Sequence, residues 1–320
     1  MQNITQAVIL AGGQGLRLRP LTNTIPKPMV PIRGRPFLEY LIERLRENGI
    51  TDVVLLTGYM ADKISGYFGD GSRLGINIRY SVGAVEDDTG TRIRNASEFL
   101  RERFLLLYCD NYWPLDLEAL DAFHRAQGGL ATMTVWRNSG RMRKNNVRVD
   151  GEGFVTGYDR KRRAPDLNGL DIGFFVLEKR SLDPLPPDNF SFEDVVLPRL
   201  IAGRRLAGFM TDHRYYSIGS PDRLPETEEF LRPRKIILLD RDGVINERPP
   251  RGEYVKNIGE LKFLPGAFDA LRLLKTAGFE IYIVSNQAGV GRGIMQDKEV
   301  EEINAYLMRE AGRAGGGLVL

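Results

Sequence analysis

Three glycines, Gly12, Gly13 and Gly15, follow the apolar run Val8, Ile9 and Leu10, and Arg17, Arg19 and Lys27 come within one loop length after them. A short apolar run suits a buried parallel strand, and glycines at its end let the backbone turn tightly with its N–H groups free. Such a turn binds phosphate, and three nearby cations argue for an anion there. The dinucleotide fingerprint GxGxxG fails because Leu18 stands where its third glycine belongs, and no GxxxxGKS/T loop occurs in the chain. A second candidate group is Asp110, just past the apolar run RFLLLY at 103–108. A carboxylate at the carboxyl end of a core strand is placed to hold Mg²⁺ on a triphosphate. The third group is Asp240 and Asp242, two residues apart after IILL and before Gly243. Alternation along an extended segment sends both carboxylates into one space, as a nucleophile on phosphorus and its acid/base require. Ser285 and Asn286, after the run IYIV, are donors suited to a phosphoryl oxygen.

The elements that must position these groups alternate. PFLEYLIERLRENGI at 36–50 has apolar residues at helical spacing and ends on Asn48 and Gly49; VVLLTG at 53–58 is a buried strand. A short helix ADKISGYF, a strand INIRYSV at 76–82 and a helix over 89–100 continue the pattern. Two strands around a polar loop are expected in 153–177, then an amphipathic helix at 190–203 and a strand RLAGFM. This alternation predicts an α/β fold with ligands at the carboxyl ends of the strands.

The string AVILAGGQGLRLRPLT at 7–22, with PKPMVPI at 26–32, resembles the signature of the sugar-1-phosphate nucleotidyltransferases. The resemblance implies a Rossmann-like nucleotidyltransferase domain with a mixed, mostly parallel sheet over residues 1–232. It also implies a reaction between a nucleoside triphosphate and a sugar 1-phosphate, of the heptose or mannose class. Arg19 and Lys27 would be catalytic, and Leu10, Gly12, Gly13, Gln14, Gly15, Thr89 and Gly90 would contact the nucleotide. Asn111, Asp159, Arg160, Asp171, Gly173 and Glu193 would line the sugar pocket, and Asp110 would carry Mg²⁺. The chain departs from the pattern at Ser217, where an aspartate is usual, at Cys109 and Thr91 in place of glycines, and at Leu16 in place of Thr or Ser.

From residue 233 the motifs DRDGVIN and SNQAGVGRG resemble the haloacid dehalogenase-like (HAD-like) phosphatases, and among them the heptose 1,7-bisphosphate phosphatases. Asp240 and Asp242 would then also hold Mg²⁺, and residues 233–320 read as a truncated HAD-like α/β domain with little turnover. Together the two resemblances imply a bifunctional enzyme of heptose nucleotide-sugar synthesis, serving lipopolysaccharide or capsule. A catalytically degenerate nucleotide- or sugar-phosphate-binding regulatory protein stays open as the alternative.

Composition sets outer limits. The 320 residues suffice for two domains, and 42% hydrophobic with 27% charged residues is the balance of a soluble globular chain. No apolar run is long enough to span a bilayer, and no signal-like leader opens the chain. The single cysteine, Cys109, excludes an internal disulfide, so a cytoplasmic location is expected. A net charge of +3 gives no case for nucleic acid; the basic clusters RMRK at 141–144 and RKRR at 160–163 read as solvated loops. The sequence leaves a homo-oligomer open.

Overall fold

The computed structural model describes residues 4–315 and 318–319. They fall into two compact units, Met1–Leu231 and Arg232–Leu320. In the first unit β1 (Gln6–Leu10) is followed by a hairpin of β2 (Pro31–Ile32) and β3 (Arg35–Pro36), α1 (Phe37–Glu47), β4 (Asp52–Thr57) and α2 (Ala61–Phe68). Then come β5 (Asn77–Val82), α3 (Thr89–Asn95), β6 (Arg103–Tyr108), β7 (Asn111–Tyr112), α4 (Leu117–Gln127) and β8 (Ala131–Trp136). The remainder is β9 (Val147–Val149), β10 (Val155–Tyr158), β11 (Leu170–Glu178), α5 (Phe192–Ala202), β12 (Leu206–Thr211), β13 (Tyr216–Ser217) and α6 (Leu224–Phe230).

Seven strands form one sheet in the order β12-β8-β11-β6-β1-β4-β5. All its neighbours pair in parallel except β11, which runs antiparallel between β6 and β8. The sheet is mixed, as expected. Alternation along each central strand divides the core in two. Ala7, Ile9, Leu105 and Leu107 pack with Leu38 and Leu41 of α1, Ile64 of α2 and Leu120 of α4. Val8, Leu10, Leu106 and Phe175 pack on the other face with Ile93 of α3 and Phe192, Val196 and Leu200 of α5. With both faces covered, β1 and β4 are buried at every residue, and this double burial is what their unbroken apolar runs encode. The helix expected over 89–100 ends at Asn95, and a separate 3-10 turn covers Ser97–Phe99.

The second unit contains β14 (Lys235–Leu239), α7 (Ala267–Thr276), β15 (Phe279–Ile283), α8 (Ala288–Gly291), α9 (Asp297–Arg313) and β16 (Leu318–Val319). Its strands form a parallel sheet in the order β14-β15-β16. Ile237 and Leu239 pack against the core of Leu271, Ile281 and Leu307. The apolar run IILL is thus covered on that face only, because Ile236 and Leu238 are 52% and 65% exposed.

Candidate active site

The glycines after β1 turn out to serve three different purposes. Gly15 adopts φ +65°, and a Cβ there would lie 3.0 Å from Cβ of Lys27 and 3.1 Å from Thr22. It therefore supplies both the left-handed turn and the close approach of the Lys27 stem. Gly13 is exposed, with nothing near its missing side chain, so its backbone is open to the cleft. Gly12 makes room for Arg92 of α3: a Cβ on Gly12 would sit 2.3 Å from the guanidinium carbon. Arg92 is buried, and its guanidinium donates to the carbonyls of Thr57 at 2.8 Å, Ala84 at 2.8 Å, Val85 at 3.2 Å and Gly12 at 3.4 Å. Burial pulls its pKa down, against the nearby charges of Asp87, Asp88 and Glu86. Nothing in the sequence pattern marks Arg92, whose partners lie up to 80 residues away.

Gly12→Ala is therefore expected to cost about 3 kcal/mol, since the guanidinium must move and leave buried carbonyls unpaired. Urea unfolding followed at Trp113 and Trp136, the two tryptophans of the chain and both in the first unit, measures it directly.

A cleft of about 770 Å³ opens over this turn, lined by Leu10, Gly12, Gly13, Gln14, Gly15, Arg17, Lys27, Thr89, Tyr108, Asp110 and Arg160 among others. Its floor is an ion pair between Lys27 and Asp110, whose side chains are 15% and 18% exposed. Lys27 opens a 3-10 turn after Pro26, and Asp110 lies two residues beyond β6. Asp116 caps α4, accepting from the Ala119 N–H at 3.0 Å, and leaves Asp110 free of that task. Ser217, paired with Asn111 across β13 and β7, is buried and accepts from Arg223 Nη1 at 2.9 Å.

Three expected contacts are placed otherwise. Arg19 is exposed and does not line the cleft, whereas Arg17 does. The 3-10 turn Leu16–Leu18 buries Leu18, and residues on such a turn step round by about 120° each, so Arg17 and Arg19 point apart. Gly90 packs against Phe190 and is not in the cleft lining: a Cβ there would meet the Phe190 ring at 2.2 Å, and its N–H donates to the Phe190 carbonyl at 3.0 Å. Asp159 closes on its own turn, accepting from the N–H groups of Lys161, Arg163 and Ala164 at 2.8, 2.7 and 2.9 Å. Those bonds hold its carboxyl below the usual range. Arg160 reaches the cleft and pairs with Asp194 at 2.7 Å.

The remaining sugar-side candidates converge around Tyr108. Glu193, in the first turn of α5, accepts from the hydroxyls of Tyr108, Thr89 and Ser191, the last two at 2.6 and 2.8 Å. Asp171 is half-buried, accepting from Gly173 N–H at 2.8 Å and Tyr158 hydroxyl at 3.3 Å. Burial raises its pKa to about 7; the Gly173 N–H opposes the rise and the Glu193 charge adds to it. Gly173 has φ +79°, and a Cβ there would strike Tyr108 at 2.7 Å, at an irregularity in the pairing of β11. Asn111 donates to the Ile172 carbonyl at 3.0 Å beside it. Tyr108 and Thr89 thus tie the nucleotide-side turn to α5, a link sequence reading missed because Thr89 and Glu193 are 104 residues apart.

In the second unit Asp240, Asp242, Ser285 and Asn286 line one cleft of about 660 Å³. Asp242 accepts from Arg241 Nε at 3.0 Å and Asn246 at 2.9 Å. Burial pushes its pKa up, but the hydrogen bonds from Arg241 and Asn246 outweigh it, and the net shift is downward. No group of three or more His, Cys, Asp or Glu side chains is arranged to hold a metal ion among the described residues of either unit. No helix among them is long and apolar enough to cross a membrane.

The glycine-rich turn over a mixed α/β sheet defines a Rossmann-like nucleotidyltransferase fold. A solved glucose-1-phosphate thymidylyltransferase from Bacillus anthracis, described as putative, superposes with a TM-score of 0.63 over 70% of this chain and 94% of its own, at 18% identity. HddC from Yersinia pseudotuberculosis, solved with GMP-PN, gives 0.62 at 26% identity over 72% of this chain and 100% of its own. Residues 6–232 match the family model described as "Nucleotidyl transferase", and the chain belongs to that family. It is 33% identical to mannose-1-phosphate guanylyltransferase of Mycobacterium tuberculosis over 71% of this chain and 62% of that protein. It spans the same 62% of a UTP–glucose-1-phosphate uridylyltransferase from Synechocystis, so a good third of each of these relatives has no counterpart in the match. D-glycero-α-D-manno-heptose 1-phosphate guanylyltransferase of Campylobacter jejuni is 30% identical over 68% of this chain and 96% of its own length.

Proposed function

We propose that the first unit transfers a nucleotidyl group from a nucleoside triphosphate, GTP first among them, to heptose 1-phosphate or mannose 1-phosphate. The observation that carries this reading is the single cleft in which the open Gly13 backbone, Arg17 and the Lys27–Asp110 pair face Thr89, Tyr108 and Arg160. A phosphate oxygen of the sugar 1-phosphate attacks the α-phosphorus in line, the bond from that phosphorus to the bridging oxygen breaks, and pyrophosphate leaves. Little covalent chemistry falls to the protein, so positioning and charge neutralisation dominate. The N–H groups of residues 13–15 and the cations Arg17 and Lys27 hold the triphosphate. Arg160 receives the sugar phosphate, while Asn111, Asp171 and the hydroxyls gathered on Glu193 face the sugar. A lone carboxylate at the floor suits Mg²⁺ carried in on the phosphates, with Asp110 its protein ligand; the ion would neutralise charge on the leaving pyrophosphate.

For the second unit we propose a phosphoryl site of the HAD-like kind, with Asp240 as nucleophile, Asp242 as acid/base and Ser285 and Asn286 on the phosphoryl oxygens. The held-down pKa of Asp242 suits it poorly to donating a proton, so turnover should be slow. One experiment addresses both units: pyrophosphate release with each of GTP, ATP, CTP, UTP and dTTP against both sugar phosphates, and inorganic phosphate release from heptose 1,7-bisphosphate. Pyrophosphate release with one base and little inorganic phosphate is the expected pattern. Nucleotide binding without pyrophosphate release from any pair would favour a regulatory binding protein.

A further inference from the structure

Arg17, Arg223 and Asp110 all border Gly219, which lines the cleft. A carbon placed on Gly219 Cα would lie 3.6 Å from Arg223 Nη1, 3.6 Å from Asp110 Oδ2 and 3.7 Å from Arg17 Nη2. The same Asp110 Oδ2 carries the ion pair with Lys27. Neither Arg17 nor Arg223 makes an ion pair with a carboxylate among the described residues. What orients Arg223 is a neutral group, the hydroxyl of buried Ser217 at 2.9 Å. Its Nε is buried with no hydrogen-bond partner, so part of the guanidinium's donor capacity is unspent. Ser217 itself is fixed by its pairing with Asn111 and by Thr227, whose hydroxyl donates to the Ser217 carbonyl at 2.9 Å.

Arg223 is half-buried, and the charge of its neighbour Asp222, which it feels, lies exposed and screened by solvent, so a closer anion would still be favoured. Asp110 is already paired with Lys27, while Arg17 and Arg223 border Gly219 in the lining of the same cleft. We propose that Arg223, aimed by Ser217, is a fixed cation for the nucleotide's phosphates, so that the triphosphate binds tightly here without any divalent ion. Resting on the function proposed above, this assigns to protein side chains part of the neutralisation that a second metal-binding carboxylate would otherwise serve. Arg223 suits the task because its charge persists at any working pH and its planar fork fits phosphate oxygens.

The test is calorimetric binding of GTP, and in parallel of ATP, CTP, UTP and dTTP, with Mg²⁺ and with excess EDTA. The wild-type chain should bind its nucleotide in EDTA within about tenfold of the affinity in Mg²⁺. Arg223→Ala should lose tenfold or more in EDTA and distinctly less in Mg²⁺, and Arg223→Lys should recover part of the loss. Ser217→Asp should make binding depend on Mg²⁺, because its new carboxylate pairs with the guanidinium and offers a metal ligand. Circular dichroism and tryptophan emission confirm that each variant is folded. Wild-type binding that needs Mg²⁺, or Arg223→Ala binding as well as wild type in EDTA, would overturn the inference while leaving nucleotidyl transfer standing. Failure of every nucleotide to bind even with Mg²⁺ would overturn both.

Discussion

Lys27→Ala should lower pyrophosphate release about a thousandfold, the scale lost when one fixed charge or donor is removed from a developing anion. The Lys27 ammonium sits at the cleft floor on Asp110, and its stem packs against Gly15, so its place is set by the backbone of two segments. In the proposed reaction negative charge builds on the bridging oxygen of the departing pyrophosphate. A compact ammonium held where that charge develops stabilises the transition state more than the bound substrate. The loss should therefore appear mainly in kcat, with nucleotide affinity changing by less than tenfold. Stability should hardly move: the ion pair is partly exposed, and such pairs contribute about 1 kcal/mol or less. Turnover within tenfold of wild type, in a folded variant, would remove Lys27 from the mechanism.

How much of this was legible beforehand follows from the range of each interaction. Apolar runs such as AVIL and FLLLY mark the central strands because both sheet faces are covered, and the spacing of Phe37, Leu38, Leu41, Ile42 and Leu45 marks α1. Asp110 was legible because strand ends are where parallel sheets gather ligands. The reversal of β11 was not, since its partners β6 and β8 are chosen by tertiary packing. Nor was the division of labour among the glycines. Gly12 and Gly90 look like members of phosphate turns, yet each is required by one distant side chain, Arg92 or Phe190. Local pattern shows that a small residue is wanted, and only the folded chain shows what fills the space. The same holds for Arg223, six residues from Ser217 and inconspicuous among the 45 lysines and arginines of the chain.

Asp171→Asn should stabilise the first unit above pH 7 and leave it unchanged below about pH 4. The carboxyl's pKa of about 7 in the folded chain stands above its ordinary value of 3.8, first through burial and further through the Glu193 charge. Tyr158, Gly173 and the more distant Arg162 pull the other way without prevailing. The folded chain therefore keeps a proton that the unfolded chain gives up, and stability falls as pH rises from about 4 to about 7 and then levels off. A full rise from 3.8 to about 7 would be worth about 4 kcal/mol, at about 1.4 kcal/mol for each pH unit. Asp171 as a residue keeps part of its surface exposed, so about 2 kcal/mol is the expected size. Asparagine preserves the acceptor for the Gly173 N–H and offers an amide to the Tyr158 oxygen, so the exchange removes the titration with little change of shape. Urea unfolding read at Trp113 and Trp136 between pH 4.5 and 8 gives the comparison; parallel curves for the two proteins would show that Asp171 is already ionised at low pH. A neutral carboxyl can donate to a sugar hydroxyl as well as accept from one, so sugar-phosphate affinity in the wild type should fall, relative to Asp171→Asn at the same pH, as the pH rises through about 7.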